Sequence, residues 1–226
     1  MSTNAQRLKR RFSSTWLRIG FWACILISVG VVLRRVYVLA YPPRSAPPQL
    51  AGLDALFASH ATLTLAHILP ALGLVLVAPF LVFRSSSQRV WAERLFFPLG
   101  AVVGITAYAM SAYSVGGWVE RSAVLFFNSL FLFSLLRAYW HICRGEPLPQ
   151  RRWMLRAIVV LLGIATTRPV MGFFFATSRL TNLEPKQFFG WAFWIGFSIN
   201  TLVIELWLRS RKHLSQSSGK APQFPY

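Results

Sequence analysis

The chain has 226 residues, 55% of them hydrophobic, with a mean hydropathy of +0.49. That excludes a soluble domain, which would need far more polar surface, and leaves a protein that mostly faces lipid. Lys and Arg number 24 against 6 Asp and Glu, for a net charge of +18, but these charges fall between apolar runs and build no separate basic domain. The pattern is that of loop charges orienting a membrane protein and argues against a nucleic-acid partner.

In chain order, residues 1–15 form a basic segment, "RLKRRF" being its densest part, and residues 16–208 form the membrane domain. A bilayer core takes about 20 apolar helical residues, and six segments qualify: Trp16–Leu39, Thr62–Phe83, Leu95–Val115, Ala123–Ile142, Trp153–Phe175 and Phe188–Leu208. The expected fold is all-α, a transmembrane bundle of about six helices. The first segment reads as a signal anchor, because no small-residue cleavage site follows it and five more spans do. Arg10–Arg11 is followed by Phe-Ser-Ser, which does not fit a twin-arginine signal. Pro42, Pro43, Pro47 and Pro48 end the first span and open a loop, in which Asp54–His60 can form a short helix. Pro70 and Pro79 predict a kink in the second span. Residues 209–226, polar and rich in Pro and Ser, read as a disordered tail.

Orientation follows from the basic residues. Arg7, Lys9, Arg10, Arg11 and Arg18 mark the start of the first span, and Arg84, Arg89 and Arg94 lie between the second and third. Arg144, Arg151, Arg152 and Arg156 lie between the fourth and fifth, and Arg209, Arg211, Lys212 and Lys220 follow the sixth. The alternate loops offer Arg44, Arg121, Arg179 and Lys186. Both termini are therefore expected in the cytoplasm, and the protein in a bacterial inner membrane. Trp16, Trp91, Trp140, Trp153 and Trp207 fall near the inner interface, and Trp118, Trp191 and Trp194 near the outer one.

Depth along each helix, at about 1.5 Å per residue, then places several polar groups in one outer layer. These are Arg34 and Arg35 in the first span, His67 in the second, Tyr108 and Tyr113 in the third, Asn128 in the fourth and Arg168 in the fifth. His60 sits at the mouth. Asp54 and Glu120 are placed nearer the surface, so the layer is expected to be cationic without a protein counter-charge. Arg34 and Arg35 point in different directions, so at most one is expected to face the centre. Glu205, near the inner interface, has Arg152 or Arg156 as a structural partner.

An arginine at the depth of Arg168 is costly unless something receives it. Three uses are open: snorkelling to the outer headgroups, capping carbonyls freed by Pro169, or holding an anionic or carbonyl-bearing ligand with His67 and Arg34 or Arg35. His67 reads equally as a helix–helix contact, and Asn128 and Asn200 as interhelical glue. Cys24 and Cys143 form no CxxC pair and no zinc spacing, and no phosphate loop, nucleophile elbow or HExxH occurs.

The segments "AHILPALGLVLVAPFLVFR", "QRRWMLRA" followed by "TTRP", and "FGWAFWIGFSINTLVIELWLR" carry a resemblance. Together, from about His60 to Arg209, they resemble an uncharacterised bacterial membrane-protein family, domain of unknown function 2306 (DUF2306). Its most specific part here is Arg152-Trp153-Met154-Leu155-Arg156, with Arg168-Pro169 further on and His67-Ile68 in the second span. The resemblance implies a multi-pass inner-membrane protein and supplies no reaction. It would also place one histidine at Gln150 and another within "SSSQRVWAER", and this chain has neither. A proton-relay or metal role at those positions is not carried over.

Four functions remain. A carrier would take an anionic or quinone-like molecule, or a membrane lipid, from the outer leaflet, without an internal acid for proton coupling. A non-catalytic assembly subunit would use the basic inner face; its protein partners are not legible. No cofactor is expected; a bis-histidine haem would need facing histidines, and His60 and His67 lie on one segment, with His141 and His213 elsewhere. A single-histidine haem with Arg168 on a propionate stays open. An enzyme would need a nucleophile or an acid–base pair, and none is apparent.

Overall fold

The computed structural model describes the backbone of residues 2–41, 48–83, 86–181 and 184–218. Within these it is a bundle of eight helices without strands. The helices are α1 (Ser2–Ala40), α2 (Pro48–Ser59), α3 (Ala61–Phe83), α4 (Ser86–Ser111), α5 (Gly117–Cys143), α6 (Pro147–Leu161), α7 (Gly163–Thr181) and α8 (Pro185–Ser218). The side chains of Arg7, Lys9, Arg10, Arg11, Arg44, Arg84, Arg89, Arg179, Lys212, His213 and Lys220 lie outside the described residues, as do the loop prolines Pro42, Pro43 and Pro47.

Six crossings are long and apolar enough to span a membrane: Thr15–Ala40, Ala61–Phe83, Val90–Ser111, Gly117–Cys143, Pro147–Ser178 and Pro185–Arg211. The chain is thus a polytopic membrane protein. An even number of crossings brings the two terminal segments to one side, here called the terminal end. The opposite side, which carries α2, is the α2 end. Proline at the first position opens α2, α6 and α8, where the missing N–H is one the helix would not use. Gly117 (φ 61°) and Gly145 (φ 66°) supply the left-handed residues of the turns before α5 and after it. The α4–α5 turn ends the third crossing at Ser111, earlier than Val115.

Two elements differ from the sequence expectation. The fifth crossing is a pair of helices, α6 and α7, meeting at Leu162. Asn200 of α8 spans the joint: its Nδ2 donates to the Val159 carbonyl at 3.0 Å, and its Oδ1 accepts from Thr166 Oγ1 at 2.7 Å. A side chain that takes over a carbonyl lets the backbone turn there without leaving that group bare in an apolar medium. At the other end of the chain, α8 continues to Ser218, so residues 209–218 extend a helix; residues 219–226 lie outside the described residues.

The larger core packs Leu74, Phe96, Phe127, Phe131, Met154 and Ile158 where α3, α4, α5 and α6 meet. A smaller one joins α7 to α8 through Met171, Phe188, Phe189 and Ala192. Small residues set the closest approaches. A Cβ on Gly196 would lie 2.7 Å from the Thr167 backbone nitrogen and 2.8 Å from its Cα, so α7 and α8 touch backbone to backbone there.

At the terminal end Glu205 accepts two hydrogen bonds from Arg156, from Nε and, at 3.2 Å, from Nη2, which ties α6 to α8. Arg156, rather than Arg152, is the partner. The same guanidinium lies over Trp153 (4.5 Å), whose ring also faces Arg137 (5.5 Å) and meets Phe133 edge-on. The Arg-Trp-Met-Leu-Arg stretch is thus a packing unit, with Met154 2% exposed at its centre. Gln150, where the family resemblance would place a histidine, is buried.

Candidate functional site

A cavity of about 540 Å³ opens inside the bundle, lined from every helix. That volume lies within the range of small-molecule sites, roughly 300–1,000 Å³. Its lining changes along the membrane normal. Toward the α2 end stand Arg34, Arg35, Asp54, His60, Glu120 and Arg168; toward mid-membrane stand Val75, Phe131, Val160 and Phe197. The helix numbering gives the reason. Arg34, Arg35 and Arg168 lie about five to eight residues from the middle of their crossings, or ~8–11 Å at ~1.5 Å per residue, while Phe131, Val160 and Phe197 lie within three residues of it.

The polar end is less one-sided than the sequence suggested. Asp54, on α2, accepts from Arg35 Nη1 at 2.7 Å and from Arg34 Nη2 at 3.2 Å, so both arginines share one carboxylate. The expected absence of a counter-charge is corrected here, because α2 folds back over the bundle and carries Asp54 down to α1. The expectation that only one of the two arginines faces inward is corrected as well. They are adjacent on the helix, yet their long side chains curve around it to the same acid, and both line the cavity. Arg34 keeps 46% of its side chain exposed and Arg35 only 16%. Arg35 also lies 4.0 Å from the Phe57 ring centroid.

Glu120 is the second acid on the cavity, and it is buried. Its Oε2 accepts from the Gly116 N–H at 2.6 Å, which holds it at the start of α5. It stands on the same cavity wall as Arg168, to which it is opposite in charge. Among the described residues, no carboxylate oxygen lies within 4.0 Å of the Arg168 guanidinium. Its Nη1 reaches Met171 Sδ at 3.8 Å, a weak acceptor, and its Nε is buried without any acceptor. Arg168 therefore caps no backbone carbonyl near Pro169, and it lines a cavity to which all eight helices contribute.

The other two candidates on the cavity wall also join helices. His67 Nδ1 lies 2.9 Å from Thr106 Oγ1, and Thr106 lies 2.7 Å from the Val102 carbonyl, so donation from the imidazole to Thr106 satisfies both. Asn128 Nδ2 donates to the Gly104 carbonyl at 2.9 Å. Gly104 permits that approach, since a Cβ there would sit 2.3 Å from Leu132. At the mouth His60 packs on Tyr113 with ring centroids 3.8 Å apart, whereas Tyr108 does not line the cavity and bonds Ser129 at 2.7 Å on an exposed face. Asp54 and Glu120 are the residues that sequence reasoning left out of the site. The available signal was slight: Glu120 is an acid just before an apolar run, and Asp54 an acid on a short helix that follows a proline loop. No cluster of His, Cys, Asp and Glu suited to a metal ion occurs among the described residues.

Six apolar crossings around a chamber that is polar at one end and apolar at its middle define a polytopic α-helical membrane protein. Residues 57–208, about two thirds of the chain, match the family model described as predicted membrane protein, DUF2306, and the chain belongs to that family. No curated protein and no solved structure matches it. The matched region carries His67, Glu120, Asn128 and Arg168; Arg34, Arg35 and Asp54 precede it.

Proposed function

We propose that this protein binds a small amphipathic molecule in the chamber, with an anionic or carbonyl-bearing head at Arg168 and an apolar body among Val75, Phe131 and Phe197, and that it acts as a carrier for that molecule at a bacterial inner membrane. One observation carries the reading: the Arg168 guanidinium lines a cavity of about 540 Å³ and, among the described residues, finds a thioether as its only acceptor. An ionised group in an apolar medium is costly without a partner, and a charge-assisted hydrogen bond to a ligand would supply one. Lipids and quinone-like molecules have that division into head and body. The hydroxyl beside His67, Thr106, gives its proton to the Val102 carbonyl rather than to the imidazole, so binding rather than catalysis is the reading the site supports.

Native mass spectrometry of the protein in a mild non-ionic detergent tests this. A discrete retained mass is expected on the wild type and is expected to be lost from Arg168→Gln at unchanged folding yield. A haem mass would replace the carrier reading with a redox one. A bare protein peak, under conditions that keep lipid on a control membrane protein, would overturn ligand binding in favour of a non-catalytic assembly subunit.

A further inference from the structure

We infer that the chamber selects a singly charged anionic head, and rejects neutral and doubly charged heads on the same apolar body. This rests on the binding reading above and adds the charge of the ligand. The chamber wall carries three guanidinium groups, Arg34, Arg35 and Arg168, and two carboxylates, Asp54 and Glu120. With the histidines neutral, the described lining sums to one positive charge. The arrangement places that surplus. Asp54 is already shared by Arg34 and Arg35, and Glu120 is held by the Gly116 N–H beyond bridging distance of Arg168. Arg168 is therefore the group that still lacks an anion.

One negative charge completes the site and leaves a neutral chamber, the arrangement with the least unbalanced charge in a low-dielectric surrounding. A neutral head leaves Arg168 unpaired. A dianion leaves a net negative charge and brings its second charge toward Asp54 and Glu120, where like charges repel. The apolar wall continues to mid-membrane, so the head has to carry a hydrocarbon or ring body, and a volume of about 540 Å³ suits one chain or one ring system. A carboxylate and a phosphodiester both present a monoanion, and the test separates them.

Binding to the full chain in non-ionic detergent would be compared across hexadecanoate, hexadecyl lysophosphatidylglycerol, hexadecanol and hexadecyl phosphate. The assay pH would lie well above the second phosphate pKa of ~6. The two monoanions are expected to bind at least about tenfold tighter than the alcohol and the phosphate monoester, the size of one lost charge-assisted hydrogen bond. Arg168→Lys should keep that order and Arg168→Gln should abolish it, with folding followed by thermal melting. Glu120→Gln, which adds one positive charge to the wall and can still accept the Gly116 N–H, should move preference toward the phosphate monoester. Whichever monoanion binds more tightly names the source, carboxylate or phosphodiester.

The chamber itself is tested separately with Gly172→Leu, which adds bulk to its wall at a position where a Cβ meets nothing within 4 Å. If hexadecanol or hexadecyl phosphate binds as tightly as the monoanions, and Gly172→Leu still weakens all of them, the charge inference is overturned and the chamber reading stands. If no probe binds, or Gly172→Leu changes nothing, the chamber reading falls and the charge inference with it.

Discussion

Arg35 and Arg34 hold Asp54 at 2.7 and 3.2 Å, and a carboxylate between two guanidinium groups is stabilising only as long as all three stay together. Arg168 has no such arrangement, and the difference between these arginines is what gives the chamber its chemistry. A single atom also decides how closely the helices around it can pack. A Cβ on Gly196 would press on the Thr167 backbone, one residue before Arg168. Gly196→Ala is expected to lower stability by about 1–3 kcal/mol, the usual cost of overpacking, seen as a lower melting midpoint in detergent. Gly20→Ala, where a Cβ meets nothing within 4 Å, serves as the control and should leave the midpoint unchanged or raise it, since alanine favours a helix over glycine. The candidate arginines and His67 were legible in the sequence because an ionisable group inside an apolar run stands out by itself. The role of Asp54 was not, because its partners lie 19 and 20 residues away across a loop, and no local pattern says that α2 folds back.

At the scale of elements, the joint between α6 and α7 and the seat of α2 each rest on one polar side chain. Asn200→Ala removes the group that holds both the Val159 carbonyl and Thr166. It should cost about 1 kcal/mol, as interhelical hydrogen bonds in membranes do. Amide exchange is expected to rise over residues 159–167 and to stay unchanged in α3; uniform protection would show that the joint does not depend on Asn200. Asp54→Asn leaves Arg34 and Arg35 beside each other without a full counter-charge and should release α2, costing about 2 kcal/mol. Exchange in α2 is then expected to rise while α5 keeps its protection. The spans were legible from hydropathy alone, since length and apolarity are local properties. The break at Leu162 was not, because its cause sits in another helix, some 40 positions along the chain.

For the whole molecule, six crossings place both termini on one side, and the basic residues argue that this side is the cytoplasm. Fusing a fluorescent reporter that folds only in the cytoplasm to each terminus should give signal from both. Signal from neither would invert the topology and move the polar end of the chamber to the cytoplasmic leaflet. What the sequence by itself determined is the class: a helical protein of six spans with intramembrane arginines, since the periodicity, length and apolarity that define a span can be read within one stretch of chain. Only the tertiary structure decided which charges are spent and which is left. Pairing depends on distances between residues far apart in sequence: the fold of α2 onto α1 engages Asp54, the turn before α5 holds Glu120, and Arg168 is left facing the chamber.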